Sequence, residues 1–138
     1  MIAESDLTVL LASMDPELRS GRFVFGTASS YASLGGIEAL ATVVEPEGLS
    51  MVVTQEAADR ANLPYSFVAG WITLRVHSSL HAVGLTAAVS TALAEAGISC
   101  NVIAGYHHDH LLVPVDRAGE AMDTLRQLSA AARTELSR

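Results

Sequence analysis

Four residues that could bind a metal stand together at His107, His108, Asp109 and His110. Imidazole and carboxylate groups are zinc ligands, but a zinc site needs three or four of them converging as a tetrahedron. The cluster lies between two apolar runs and is predicted to be a hairpin tip, where successive side chains face opposite sides. Each side then carries only two ligands. We expect no bound metal, with Asp109 holding the turn.

A second group of polar residues surrounds the start of a predicted helix, between His77 and Thr86. Free backbone amides at a helix N-terminus attract a carboxylate, and a glycine lets a ligand approach the backbone closely. The hydroxyl groups nearby and the Asn101 amide oxygen could hold the remaining polar groups of a ligand, including an ammonium. The predicted ligand-binding residues are Ser78, Ser79, Val83, Gly84, Leu85, Thr86, Asn101 and Ile103.

The same residues also have an ordinary structural interpretation. Ser79 could cap the helix, and Gly84 could serve only to bring the helix close to the sheet. If Gly84 lies inside the helix, alanine at this position is expected to be neutral or stabilising.

Several kinds of catalysis are disfavoured by the composition. All 8 basic residues other than histidine are arginines, so no lysine is present to form a Schiff base, anchor pyridoxal phosphate or bind phosphate in a P-loop. The single cysteine, Cys100, lies in an apolar run typical of a buried strand. No GxSxG motif is present to indicate a serine nucleophile. We expect no enzyme activity and no cofactor.

The charge and the cysteine content suggest partners and compartment. The net charge of -7 opposes binding to nucleic acids and to anionic membranes. A lone cysteine fits the reducing cytoplasm, and the acidic start of the chain is unlike a secretory signal. We therefore expect a cytoplasmic protein that binds neither a nucleic acid nor a membrane.

The second half of the chain is predicted to contain a strand, a helix, a hairpin and a closing helix. Leu85, Val89 and Leu93 recur at helical spacing within 82–96, and Gly97 is a typical left-handed helix stop. The remaining predicted elements are strands at 67–76, 98–104 and 111–115 and a helix from Asp116 toward Ala132.

A similar order of elements is predicted in the first half. A short helix is expected at 6–14, followed by strands at 23–26, 40–44 and 49–54 and a helix at 55–61. The amino-acid sequences of the two halves are also similar: DLTVLLAS resembles GLTAAVST, and MVVTQEAADRA resembles LVPVDRAGEAM. This suggests an internal duplication, with halves at 1–64 and 65–138.

This order of elements builds an α+β fold of two ferredoxin-like halves, each an antiparallel sheet with helices packed on one face. Such a half leaves its other face uncovered. We therefore expect either the other half or a second protomer to cover it, which predicts a homodimer.

The segments VGLTAAVSTAL, EAGISCNVI and HHDHLLVP resemble the ACT domain family, and Gly84, Gly97 and Ile98 match its helix start and the turn into the next strand. The resemblance is strongest to proteins with paired ACT-like halves, as in the regulatory part of aspartate kinases. It implies a non-catalytic sensor that binds an amino acid or a similar metabolite. Two alternatives stay open: a metal-assisted hydrolase or isomerase that uses the His107–His110 cluster, and a pure dimerisation module.

Overall fold

Four α-helices and six β-strands form within residues 6–138, the part of the chain that the computed structural model describes. The helices are α1 (Leu7–Ala12), α2 (Gln55–Arg60), α3 (Leu85–Glu95) and α4 (Ala118–Leu136). The strands are β1 (Pro16–Ala28), β2 (Ala41–Glu45), β3 (Gly48–Thr54), β4 (Val68–Leu74), β5 (Asn101–Ala104) and β6 (Asp109–Pro114). The predicted α+β class is confirmed.

Local signals explain where the helices begin and end. The Asp6 carboxylate accepts a hydrogen bond from the Val9 amide at 3.1 Å and caps α1. Gly97 adopts the left-handed conformation after α3, as predicted. The start of α3 was predicted three residues too early: Gly84 has φ 102°, so the helix begins at Leu85. Similarly, α4 begins at Ala118, after a short 3-10 turn at Val115–Arg117.

The first compact unit contains residues 6–19 and Gly70–Arg138. Strands β4, β6 and β5 lie side by side in that order, and β5 pairs with β6 in antiparallel register. Ile72 and Leu74 of β4 share one core with Leu93 of α3 and Leu125 of α4. The helices therefore pack on one face of these strands, as predicted.

Three consecutive residues of β6, Leu111, Leu112 and Val113, are buried. Successive side chains of a strand point to opposite faces, so both faces of β6 are covered at its centre. Trp71 of β4, which lies on the face away from the helices, is also buried. The face away from the helices is therefore partly covered within one chain, so a second protomer is not required to cover it.

The second compact unit contains Ser20–Ala69. Its strands lie in the order β2, β3, β1 and are antiparallel, with Phe23 opposite Thr54 and Thr42 opposite Met51. Val24, Met51, Val53 and Ala58 form its buried core. The core is small because this unit has only the short helix α2 between residues 20 and 69.

The compact units do not follow the linear halves predicted from the repeat. Helix α1 lies in the first unit because it packs on α4: Arg133 and Ser129 both donate hydrogen bonds to the Ala12 carbonyl at 3.2 Å. The division at 64/65 is a statement about sequence repeats and stays a prediction. Within residues 6–138, no helix is both long and apolar enough to cross a membrane.

Candidate functional site

A cleft of about 180 Å³ lies at the start of α3, in the first unit, and we call it the α3 cleft. Its walls come from the loop before α3, the first residues of the helix and the β5–β6 hairpin. It is lined by Ser78, Ser79, Leu80, Ala82, Gly84, Leu85, Thr86, Ala104, Gly105 and Asp109. The structure thus brings Ser78, Ser79, Gly84, Leu85 and Thr86 of the predicted residues together.

Ser79 shapes the loop rather than the helix. Its Oγ accepts a hydrogen bond from the His81 amide at 3.1 Å, and its carbonyl accepts one from Ala82 at 3.0 Å. Gly84 occupies the N-cap position, where no side chain satisfies the helix amides. Because the first turn of a helix has no internal acceptors for its N–H groups, the amides that follow Gly84 are available to a ligand.

Three of the predicted ligand-binding residues do not line the α3 cleft. Val83 is 83% exposed and does not line the cleft. Asn101 and Ile103 lie on the sheet face opposite to the helices, because Val102 between them packs against the helix-side core. The side chain of Leu85 is buried in that core, so its backbone is the part that a ligand could reach. The structure therefore does not bring Asn101 to the α3 cleft.

Asp109 is a residue of the cleft that sequence reasoning missed. It pairs with Ala104 and lies on the same strand face as Leu111, which turns it toward the helix side. Burial raises the pKa of this half-buried carboxyl, and the neighbouring His110 and His108 oppose the rise. The sequence contained a signal for this position, because Asp109, Leu111 and Val113 alternate along one strand and therefore share a face.

The hairpin turn is closed by the backbone. The Gly105 amide donates to the His108 carbonyl at 2.9 Å, and a Cβ on Gly105 would stand 2.7 Å from that oxygen. The Asp109 carboxylate makes no hydrogen bond to the described residues, so it does not hold the turn as expected. Its carboxylate is free to face a ligand.

The histidines of the hairpin bind separate partners. Nδ1 of His110 lies 3.1 Å from Nε1 of Trp71 and 3.0 Å from the Thr73 hydroxyl. Nδ1 of His108 lies 3.4 Å from the Val76 carbonyl. Within residues 6–138, no group of three or more histidine, cysteine, aspartate or glutamate side chains is arranged to hold a metal ion.

A larger cleft of about 460 Å³ lies in the second unit. It is bounded by the loop at Gly35 and Gly36 and by α2, with Glu38 and Arg60 at its edge. Arg60 already pairs with Glu56 at 2.6 Å. Its carboxylate, on Glu38, is exposed, and the Thr54 side chain caps α2, so this cleft lacks the half-buried carboxylate and uncapped helix amides of the α3 cleft.

Two family models, both described as an ACT domain, match the sequence at residues 2–70 and 66–127. Similar solved structures include a Vibrio cholerae protein of unknown function, described as a possible transport protein. It is 47% identical with a TM-score of 0.82, over 89% of this chain and 95% of that chain. No curated protein matches the sequence.

More distant structures share the fold. A protein from Agrobacterium tumefaciens is 18% identical, with a TM-score of 0.62 over 83% of this chain and 87% of that chain. The ligand-free regulatory subunit of aspartate kinase from Thermus thermophilus is 12% identical, with a TM-score of 0.58 over 82% of this chain and 95% of that chain. These likenesses support the paired ACT-type, ferredoxin-like architecture.

We predict that Gly84→Ala destabilises the protein, which reverses the expectation from helix propensity. The left-handed φ of 102° is strained for any residue with a Cβ, and the new Cβ would lie 3.1 Å from Cδ2 of Leu7. The expected loss is about 1 to 3 kcal/mol of unfolding free energy, measured by urea denaturation. Gly119→Ala is the control: it lies inside α4 with no atom within 4 Å of the added Cβ, and should be neutral or stabilising. Equal effects of the two changes would contradict the prediction.

We predict that His110 makes the stability of the protein depend on pH. Burial lowers the pKa of its imidazole below the ordinary 6.5, with His108 adding to the effect. Because Trp71 can only donate, its hydrogen bond to His110 forms only while Nδ1 is unprotonated. The unfolded chain therefore binds a proton more readily than the folded chain, and stability falls as the pH drops below about 6.5.

His110→Gln keeps an acceptor for Trp71 and removes the titrating group. Urea denaturation at about pH 7.5 and about pH 5.5 should show a smaller loss of unfolding free energy in the variant than in the wild type. Identical losses in the two proteins would show that His110 does not contribute.

Proposed function

The chain belongs to the ACT domain family, and on that premise we propose that it is a regulatory module that binds an α-amino acid in the α3 cleft. The family supports a regulatory, ligand-binding role. The cleft supports the ligand class, because it places helix amides and the Asp109 carboxylate around one small volume. The carboxylate of an α-amino acid can bond to the helix amides, and its ammonium can bond to the Asp109 carboxylate.

The observation that carries the proposal is the position of Asp109. A half-buried carboxylate that accepts no hydrogen bond from the described residues loses part of its hydration, and this burial raises its pKa even though His110 and His108 offset part of the rise. A ligand ammonium would restore the lost interactions. Thr86 and the serines of the loop add hydroxyl groups that can bond to either end of the ligand.

This proposal retains the predicted residues Ser78, Ser79, Gly84, Leu85 and Thr86 and assigns to Asp109 the role that was first given to Asn101. Asn101 and Ile103 are then no part of the site within one chain. We also propose that the protein acts in the cytoplasm without catalysing a reaction.

A thermal-shift screen of the amino acids is the first experiment. A ligand present at about 100 times its dissociation constant should stabilise the protein by about 2.7 kcal/mol. The amino acid with the largest shift is then titrated against Asp109→Asn, which keeps the shape of the side chain and removes its charge. We expect the affinity to fall about tenfold or more, because a charge-assisted hydrogen bond is lost.

Two controls make the result specific. Asn101→Ala, on the other sheet face, and Asp116→Asn, an exposed carboxylate, should leave the affinity unchanged.

Affinity for the amino acid should also fall as the pH drops through the pKa of Asp109, because the neutral carboxyl no longer attracts an ammonium. A screen without any shift would favour the pure dimerisation module.

We also propose a homodimer formed by the loops around the α3 cleft. Leu80, Val83 and Tyr106 are 71%, 83% and 78% exposed, and the loops that carry them meet where the rings of His77 and His107 lie 5.9 Å apart. Large apolar side chains grouped at a surface are typical of an interaction site. A second copy would cover them and narrow the mouth of the cleft.

Sedimentation at micromolar concentration should show a species heavier than the 14.5 kDa monomer. Changing Leu80, Val83 and Tyr106 together to serine should shift the protein toward the monomer. The control pair Val43→Ser and Val44→Ser, also exposed but in the second unit, should leave the assembly intact. A monomeric wild-type protein would refute the proposal.

A further inference from the structure

A second polar cleft, of about 300 Å³, lies between the end of α1 and the middle of α4, within the first unit. We call it the α1–α4 cleft. One wall is formed by Arg126, Ser129 and Arg133, which share a face of α4 because they are three and four residues apart. The opposite wall contains Ser13 and Asp15. Neither the family match nor the proposed amino-acid site accounts for this arrangement.

Arg133 is held in place by the protein. Its Nη1 donates to the Ala12 carbonyl at 3.2 Å and to the Ser129 hydroxyl at 2.8 Å. Ser129 is 2% exposed and itself donates to the same carbonyl. The Nε and Nη2 groups of Arg133 make no bond to the described residues. A guanidinium that is already oriented loses little side-chain entropy when it binds an oxyanion.

Arg126 supplies a second, less constrained guanidinium. Its ion pair with Asp123 is long, at 3.8 Å, and largely exposed, which makes it weak. Two arginines on one wall can bind two acid groups, or bind one acid group in a fork. A net charge of -7 on the whole chain repels polyanions, so the observations favour a small ligand over a nucleic acid or a membrane.

Asp15 restricts the ligand further. Its backbone is fixed at φ 44° in the connection between α1 and β1, and its carbonyl accepts the Arg75 amide at 3.3 Å. Its carboxylate makes no bond to the described residues and would repel a ligand that is only anionic. Among the residues that line the cleft, two guanidinium groups and one carboxylate leave one net positive charge, which the Asp123 carboxylate beside Arg126 reduces only weakly at 3.8 Å and in solvent. A ligand with two acid groups and one ammonium complements that set.

We propose that the α1–α4 cleft is a second binding site, for a small amino-dicarboxylate. Its acid groups bond to Arg126 and Arg133, and its ammonium bonds to Asp15. The site is distinct from the α3 cleft and does not depend on it.

The test is a pair of nuclear magnetic resonance titrations with L-glutamate and with glutarate, which lacks only the amino group. Saturable shifts of the Ser129 and Arg133 amides are expected with glutamate, and weaker binding with glutarate. Arg126→Gln should weaken glutamate about tenfold, and Arg126→Lys should recover part of the loss because it restores the charge without the fork. Arg60→Gln is the matched control, since Arg60 is equally exposed and also pairs with a neighbouring acid on its helix.

Asp15→Asn tests the other end of the ligand. Asparagine tolerates the left-handed conformation as well as aspartate does, so the turn is preserved. The change should weaken glutamate and leave glutarate unchanged or bound more tightly. Asp109→Asn should not alter the shifts at Ser129, which separates this site from the α3 cleft. Glutarate binding as tightly as glutamate, equal losses in the Arg126 and Arg60 variants, or no saturable shift at Ser129 would each overturn the proposal.

Discussion

The burial of the apolar face of α4 is the interaction on which the first unit depends. Met122 and Leu125 join the core that includes α3 and the strands, and Ala118 packs where a Cβ on Gly70 would come within 3.0 Å. The same helix then binds the end of α1 through Ser129 and Arg133. A helix of six residues is not stable alone, so α1 exists because α4 gives it a surface and a partner for its last carbonyl. Both clefts of this unit lie at the edges of the layer of helices that α1, α3 and α4 form.

The strict alternation of a strand decides which polar groups share a cleft. Leu111 and Val113 must face the helices, so Asp109 faces them too, and His110 must face Trp71 on the other side. Asp109 and His110 are therefore neighbours in sequence, but the carboxylate lies in the α3 cleft and the imidazole lies on the opposite face of the sheet. The same rule removes Asn101 and Ile103 from the cleft, because Val102 packs against the core.

The elements themselves could be predicted because their signals are local. Helical spacing of Leu85, Val89 and Leu93 and the left-handed stop at Gly97 describe α3 without knowledge of the rest of the chain. The start of α3 could not be read in this way, because a glycine inside a helix and a glycine at its N-cap look the same in sequence. The packing of α1 on α4 was also hidden, because it joins Ala12 to Ser129 across most of the chain. The predicted pocket combined a loop that lines the α3 cleft with two residues of β5 that face the other side of the sheet, because the facing of that strand could not be derived from sequence.

Helix α1 packs beside one residue of each cleft. Leu7, at its start, lies beside Gly84 of the α3 cleft, and Ala12, at its end, accepts hydrogen bonds from Ser129 and Arg133 of the α1–α4 cleft. Six residues of helix span only about 9 Å, so the hydrogen bonds that hold Ala12 on α4 also help to hold Leu7 beside Gly84, where it leaves no room for a Cβ.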